Sequence, residues 1–260
     1  MRFMIVAEVS CNHFGSVEYA KSYVEVAKAC QADAVKFQFY SAQDIVDFEK
    51  RRVAEGLMSY YTEEMFKAIK KTEFTIDQLG DVRDYCKTLG IKFGVTPFIK
   101  PDFIDYLERI SPDFYKVRER DSENFGLIDR CLHTGKRVFI STTKLPLESS
   151  YLYHPNIKWL FCVAPKYPTP FEMVELYRIE NFDGLSDHTL GLTVSISAMG
   201  IAVATNKSFF AVEKHLTLHH DIDNLDKEVS IDPEEMRSLV WNARILEKMP
   251  IDRTAAATVF

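Results

Sequence analysis

A chain of 260 residues, 47% hydrophobic and 27% charged, with 10 glycines and 10 prolines, has the make-up of a globular protein with a sizeable core. Disordered and collagen-like chains are excluded, and no apolar run approaches the roughly 20 residues that a membrane-spanning helix needs. The formal net charge of −6 argues against nucleic acid or an anionic membrane as the main partner, while a few local cations can still hold an anionic small molecule. The five cysteines (Cys11, Cys30, Cys86, Cys131 and Cys162) are odd in number and scattered, with no C-x-x-C pair. They fit a reducing compartment, so the expected location is the cytoplasm. Met1 to Val9 lacks the long apolar stretch of a signal peptide and reads as a first strand.

Short β-branched runs alternate with longer segments of helical period. Strands are predicted near Phe3 to Val9, Ala34 to Gln38, Ile91 to Thr96, Phe114 to Val117 and Val138 to Ser141. Three more follow at Lys158 to Val163, Phe182 to Ser186 and Phe209 to Glu213. Ala20, Tyr23, Val24 and Ala27 recur at the spacing of one buried helix face, and Met236, Leu239, Val240 and Ala243 repeat it. Asp232, Pro233 and Glu235 supply a cap, a first-turn proline and a capping-box acid for that last helix. Gly90 and Gly135 fall where helices should end. The stretch from Ser41 to Lys71 has no clear pattern and reads as a lid over one end of the molecule. Tyr167 to Pro170 (Tyr-Pro-Thr-Pro) reads as a rigid turn into a helix near Phe171.

Eight strands, each followed by helical or loop material, predict βα units and a parallel sheet. At about 250 residues the expected fold class is α/β, a (β/α)8 TIM barrel forming a single domain over residues 1–260. An open doubly wound sheet fits the alternation less well, because neither G-x-G-x-x-G nor Walker A is present.

In such a barrel, chemistry gathers at the C-terminal strand ends. Those positions hold Glu8 with Asn12 and His13, then Lys36 and Gln38, then Thr96. Lys116 with Arg118 and Arg120, Ser141 with Thr142, Tyr167, Ser186 with Asp187 and His188, and Glu213 with Lys214 and His215 follow. His188 and His215 end neighbouring strands, so two imidazoles can share a divalent cation, with Mn²⁺ the expected ion and Mg²⁺ or Co²⁺ as alternatives. Lys36, Lys116, Ser141 and Ser186 can ring a small phosphate. Plainer readings stand beside these. A histidine at a strand end is more often structural, Lys36 can serve an ordinary core ion pair, and Arg118-Glu119-Arg120 is by default a solvated charge run. Of His215, His219 and His220, only the first is expected to bind metal.

Several blocks, in order, resemble a known family. They are Ile5 to Gly15 (Ile-Val-Ala-Glu-Val-Ser-Cys-Asn-His-Phe-Gly), Ala32 to Gln38, Val95 to Phe98 and Phe139 to Thr142. Tyr167 to Pro170, Leu185 to Gly191 and Val212 to Thr217 complete the set. Together they resemble the bacterial N-acetylneuraminate (sialic acid) synthases and their pseudaminic and legionaminic acid relatives. The resemblance implies a metal-dependent condensation of phosphoenolpyruvate with an amino-sugar aldehyde like N-acetylmannosamine, releasing phosphate. It implies His188 and His215 as metal ligands, and Lys36, Thr96, Lys116, Ser141 and Ser186 around phosphoenolpyruvate. Gln38, Tyr167, Glu213 and Asp226 would face the sugar, and Glu8, with Lys36 and Lys116, would serve the reacting centre.

Three departures accompany the resemblance. Glu119 stands where the family has a small hydroxyl residue, and a carboxylate 4 Å from a phosphate charge is repulsive by roughly 4 kcal/mol at an effective dielectric constant of 20. Pro165 replaces the family's asparagine. The chain stops at Phe260, where typical members continue into an antifreeze-like domain that closes the partner's site. The expected partners are therefore phosphoenolpyruvate and an amino-sugar, with a homodimer or a separate capping protein in the missing domain's place. A phosphoenolpyruvate condensation with another aldehyde, or a non-catalytic barrel acting as a binding partner, remain the alternatives.

Overall fold

The structure, a computed structural model, describes residues 1–56, 62–146, 149–163 and 167–249. Eight parallel strands close on themselves in sequence order: β1 (Arg2–Ser10), β2 (Ala34–Phe39), β3 (Lys92–Pro97), β4 (Phe114–Val117), β5 (Arg137–Thr142), β6 (Ile157–Phe161), β7 (Gly184–Asp187) and β8 (Phe209–His215). All eight predicted strands form, and β8 pairs with β1 from Arg2 opposite Phe209 to Glu8 opposite His215. The expected (β/α)8 barrel is the observed fold.

The helices follow from amphipathic periods and local caps. They are α1 (Val17–Ala29), α2 (Ala42–Ala54), α3 (Glu63–Lys71), α4 (Ile76–Leu89), α5 (Phe103–Glu108), α6 (Phe125–His133), α7 (Thr193–Ala204) and α8 (Pro233–Leu246). Helix α1 buries Ala20, Tyr23, Val24 and Ala27 as predicted, and α8 carries the Asp232–Glu235 capping box. Gly90 caps α4 with φ 64° and Gly135 follows α6 with φ 73°.

One local expectation is corrected. The predicted helix after Tyr167–Pro170 is absent; short 3-10 turns at Phe171–Met173 and Leu176–Asn181 replace it. The 41–71 stretch is helical, with α2 and α3 forming an arm between β2 and α4; residues 57–61 lie outside the described part. The arm brings Ile45 and Ile69 against Tyr40 and Phe98 in a small apolar cluster separate from the main core. It is pinned by Asp44–Lys100 at 2.6 Å, by Glu49–Arg120 at 3.1 Å and by the Ala42 N–H donating to Glu73.

Strand periodicity divides the barrel wall into two faces. Outward residues such as Phe3, Ile5, Val35, Phe37, Tyr115 and Val212 meet the helices in the main core. The inward set stacks in layers. Met4, Val6, Ala34, Phe114, Phe139, Leu160 and Ala211 form an apolar plug below. There Gly94 is required by close approach, because a Cβ on it would lie 2.1 Å from the Phe114 ring. Two residues further along the same strands, the inward positions become Glu8, Lys36, Lys116, Ser141, Ser186 and Glu213.

Candidate active site

These polar residues floor a cavity of about 660 Å³ at the C-terminal mouth, within the size range of small-molecule sites. The strand register places them: Glu8 lies opposite Lys36 across β1 and β2, and Ser186 lies opposite Glu213 across β7 and β8. Lys36 Nζ is 2.7 Å from Glu8 Oε2, 3.7 Å from Glu213 Oε2, and donates to Thr96 Oγ1 at 2.6 Å. Lys116 Nζ donates to Glu213 Oε1 at 3.2 Å, and the Ser186 hydroxyl donates to the same oxygen at 2.8 Å. Glu213 therefore bridges two lysines at the centre of the floor. The ion-pair reading of Lys36 holds, and it holds inside the cavity.

Burial governs the electrostatics. It would raise the Glu213 carboxyl, but Lys116, Lys36 and Ser186 together bring it well below the ordinary carboxylate range. Glu8 goes the other way: desolvation raises it, aided by Glu213, and Lys36 only partly offsets this. Burial opposes the charge on Lys36, yet Glu213 and Glu8 raise its ammonium above the usual value. Two neighbouring carboxylates are thus pushed apart in acidity, as acid–base chemistry requires. The Ser141 hydroxyl is buried and makes no hydrogen bond, so a donor faces the cavity with its capacity unused.

Above the floor, the His188 and His215 rings lie 5.3 Å apart, centre to centre. Burial, and after it His215, lowers His188 to about 3, which keeps it neutral, the form in which imidazole binds metal. His188 Nδ1 lies 3.6 Å from Cys162 Sγ. His215 Nδ1 is buried without a hydrogen bond, 3.5 Å from Asp226 Oδ2. The Tyr167 hydroxyl donates to Asp226 Oδ1 at 2.6 Å, and the Cys11 thiol lies 3.5 Å from Oδ2. Gln38 donates to Glu8 Oε1 at 2.9 Å and to the Ser10 hydroxyl at 2.7 Å. Two imidazoles, one with an unused ring nitrogen, and an adjacent carboxylate suit a divalent cation that keeps open positions.

All twelve residues singled out from the sequence, Glu8, Lys36, Gln38, Thr96, Lys116, Ser141, Tyr167, Ser186, His188, Glu213, His215 and Asp226, line this one cavity. Cys11, Cys162 and Ser10 were missed, although Cys162 continues the inward alternation of Leu160 on β6. Other motif residues are structural. Asn12 donates to the Leu216 carbonyl at 2.8 Å, and His13 stacks on Phe74 at 4.0 Å. Asp187 and Lys214 form a buried pair, 3.3 Å apart, and Asp187 also takes hydrogen bonds from Thr189 and Ser195, fixing the loop that carries His188. Arg118 and Arg120 are not a solvated run: Arg118 Nε donates to Asp121 at 2.6 Å, and Arg120 reaches Glu49 at 3.1 Å. His219 and His220 are exposed. Among the described residues, ligand atoms of His220, Asp232 and Glu235 lie within 4.8 Å of one another, but that carboxylate pair already forms the α8 capping box. Pro165 lies outside the described residues.

A closed parallel barrel with buried, oppositely shifted carboxylates beneath two imidazoles defines a (β/α)8 barrel enzyme. Residues 23–253 match the NeuB family, and the chain belongs to that family. It is 30% identical to an uncharacterized protein of Methanocaldococcus jannaschii, over 94% of this chain and 71% of that one. It is 25% identical to the N,N'-diacetyllegionaminic acid synthase of Campylobacter jejuni, over 94% of this chain and 76% of that enzyme. The crystal structure of N-acetylneuraminic acid synthetase from Leptospira borgpetersenii, in complex with citrate, superposes with a TM-score of 0.79 at 23% identity. That match covers 100% of this chain and 90% of the other, and it bears on the fold alone. No helix among the described residues is long and apolar enough to cross a membrane.

Proposed function

We propose that this protein condenses phosphoenolpyruvate with an amino-sugar aldehyde of the N-acetylmannosamine type, giving a sialic-acid-like nonulosonate and phosphate. The observation that carries this reading is the vertical order of the cavity: a floor of lysines and hydroxyls able to hold a phosphate, beneath two imidazoles able to hold a metal. Membership of a family that includes nonulosonate synthases supports it. The five cysteines are all buried and free, which supports a reducing, cytoplasmic setting.

Lys36, Thr96, Lys116, Ser141 and Ser186 hold phosphoenolpyruvate, and the unsatisfied Ser141 hydroxyl gains its missing partner there. Gln38, Tyr167 and Asp226 face the sugar, while Glu213 keeps Lys36 and Lys116 in place and borders the same space. His188 and His215 would hold a divalent cation, Mn²⁺ being the first choice, which when bound would polarise the sugar's aldehyde as a Lewis acid. Carbon 3 of phosphoenolpyruvate forms the new bond to the aldehyde carbon as the carbonyl π pair moves onto the aldehyde oxygen, which takes up a proton, and positive character develops at carbon 2. Glu8, whose burial raises its proton affinity, takes one proton of the water that adds to carbon 2. The C–O bond to phosphate then breaks as the new hydroxyl gives up its proton and carbon 2 becomes a carbonyl. The lysines, fixed beforehand, stabilise the anion without reorganisation.

The test is phosphate release from phosphoenolpyruvate with Mn²⁺, offered N-acetylmannosamine and related aminosugars, with a chelator control. Metal-dependent release with one sugar establishes the reaction and its acceptor. Binding of phosphoenolpyruvate and Mn²⁺ without release for any aldehyde overturns it in favour of a non-catalytic barrel.

A further inference from the structure

Glu119 is a carboxylate that the fold leaves uncommitted. Its two neighbours are engaged: Arg118 with Asp121 at 2.6 Å and across the face of Phe98, Arg120 with Glu49 at 3.1 Å. Among the described residues, no hydrogen bond or ion pair engages the Glu119 side chain itself. Glu119 is nevertheless half-buried and lines the cavity. Burial raises its carboxyl, against the opposing pull of Arg120, Arg52 and Arg118. A partly desolvated acceptor facing a ligand cavity, with no protein donor, is completed by a donor on the ligand.

Two ligand groups compete for that place. An ionised phosphate offers no donor and carries like charge, whereas a polyhydroxy aldehyde offers several hydroxyls. Position decides between them. The chain leaves β4 after Val117, so Glu119 stands nearer the mouth than the Lys116 layer. Glu119 therefore lines the cavity above the floor, toward the mouth.

We propose that Glu119 is a specificity-determining residue that accepts a hydrogen bond from a hydroxyl of the aldehyde acceptor, leaving the phosphate to the floor below. This rests on the function proposed above and narrows it: the acceptor must present a hydroxyl to the wall that follows β4. The residue that departs from the family pattern then serves acceptor choice and does not obstruct phosphoenolpyruvate.

The experiment compares wild type, Glu119→Gln and Glu119→Ala, each loaded with Mn²⁺. Acceptor KM and kcat are read from phosphate release, and phosphoenolpyruvate Kd is read by calorimetry without acceptor. Glu119→Ala is expected to raise acceptor KM by roughly tenfold to a hundredfold, the worth of a hydrogen bond to a charged group, with phosphoenolpyruvate Kd unchanged. Glu119→Gln, which keeps an acceptor oxygen but loses the charge, should fall between. A monodeoxy acceptor lacking the recognised hydroxyl should lose the same factor with wild type and little with Glu119→Ala. Tighter phosphoenolpyruvate binding at unchanged acceptor KM overturns the proposal, because the carboxylate then faces the phosphate; no change in either constant overturns it equally. A wild type that releases phosphate with no aldehyde overturns the underlying function, whereas release by wild type with either of those results overturns only the role of Glu119.

Discussion

Along β4, Phe114 and Lys116 stand two residues apart and point into the same barrel interior, but they belong to different worlds. Phe114 packs with Met4, Val6, Phe139 and Leu160 in a layer that holds no charge. Lys116 joins Glu8, Lys36 and Glu213 in a layer where all four side chains are ionisable and each is at most 7% exposed. Burying ion pairs rarely stabilises a fold relative to apolar side chains of similar volume, because desolvation consumes most of the Coulombic gain. The lower layer therefore secures the barrel, whereas stability alone does not account for the upper one.

That contrast is breakable. The largest effects should come above the ionic layer. His188→Ala and His215→Ala should each weaken Mn²⁺ binding by at least about a hundredfold, read by titration calorimetry. Thermal unfolding in chelator should stay near wild type, and full turnover in either variant would remove the metal assignment. Next comes a matched pair. Glu213→Gln leaves two buried ammonium groups facing one carboxylate, and Phe114→Ala opens a cavity in the plug. Each should cost about 3–5 kcal/mol in urea denaturation. Only Glu213→Gln should abolish phosphate release under conditions where both variants are folded; equal activities would erase the distinction between layers.

A smaller effect tests a site outside both layers. Burial lowers His13 from 6.5 to about 4, so the folded state binds fewer protons there than the unfolded chain. That contribution is fully present above pH 6.5 and is lost as pH falls toward about 4, worth at most about 3 kcal/mol. His13→Phe should flatten that part of the stability–pH curve; an unchanged slope would assign it to other groups. Smallest of all, Asp44→Ala removes a partly exposed pair with Lys100 and should cost less than about 1 kcal/mol, leaving acceptor KM unaltered.

The barrel was legible in the sequence because its signals are local. Inward and outward alternation, β-branched runs and helix-ending glycines such as Gly90 each act within a few residues. The twelve cavity residues were legible for a related reason: strand ends in this fold converge, so position along the chain translates into position in space. What escaped needed long-range partners. Glu49 reads as one more charge in Phe-Glu-Lys-Arg-Arg, and its pairing with Arg120, 71 residues away, leaves no local trace. The arm built by α2 and α3 was unreadable for that cause. Likewise, Arg118 and Arg120 look solvated until Asp121 and Glu49 are placed beside them. The connection after β6 failed differently: its short 3-10 turns carry too brief a period to be told from a helix start.

The apolar plug has a further consequence, for traffic. Phe114, Phe139 and Leu160 fill the interior below the lysines, so the described residues leave no straight passage through the barrel. A molecule that reaches Lys36 and Lys116 therefore comes from the side of the imidazoles, and passes them on its way in and out.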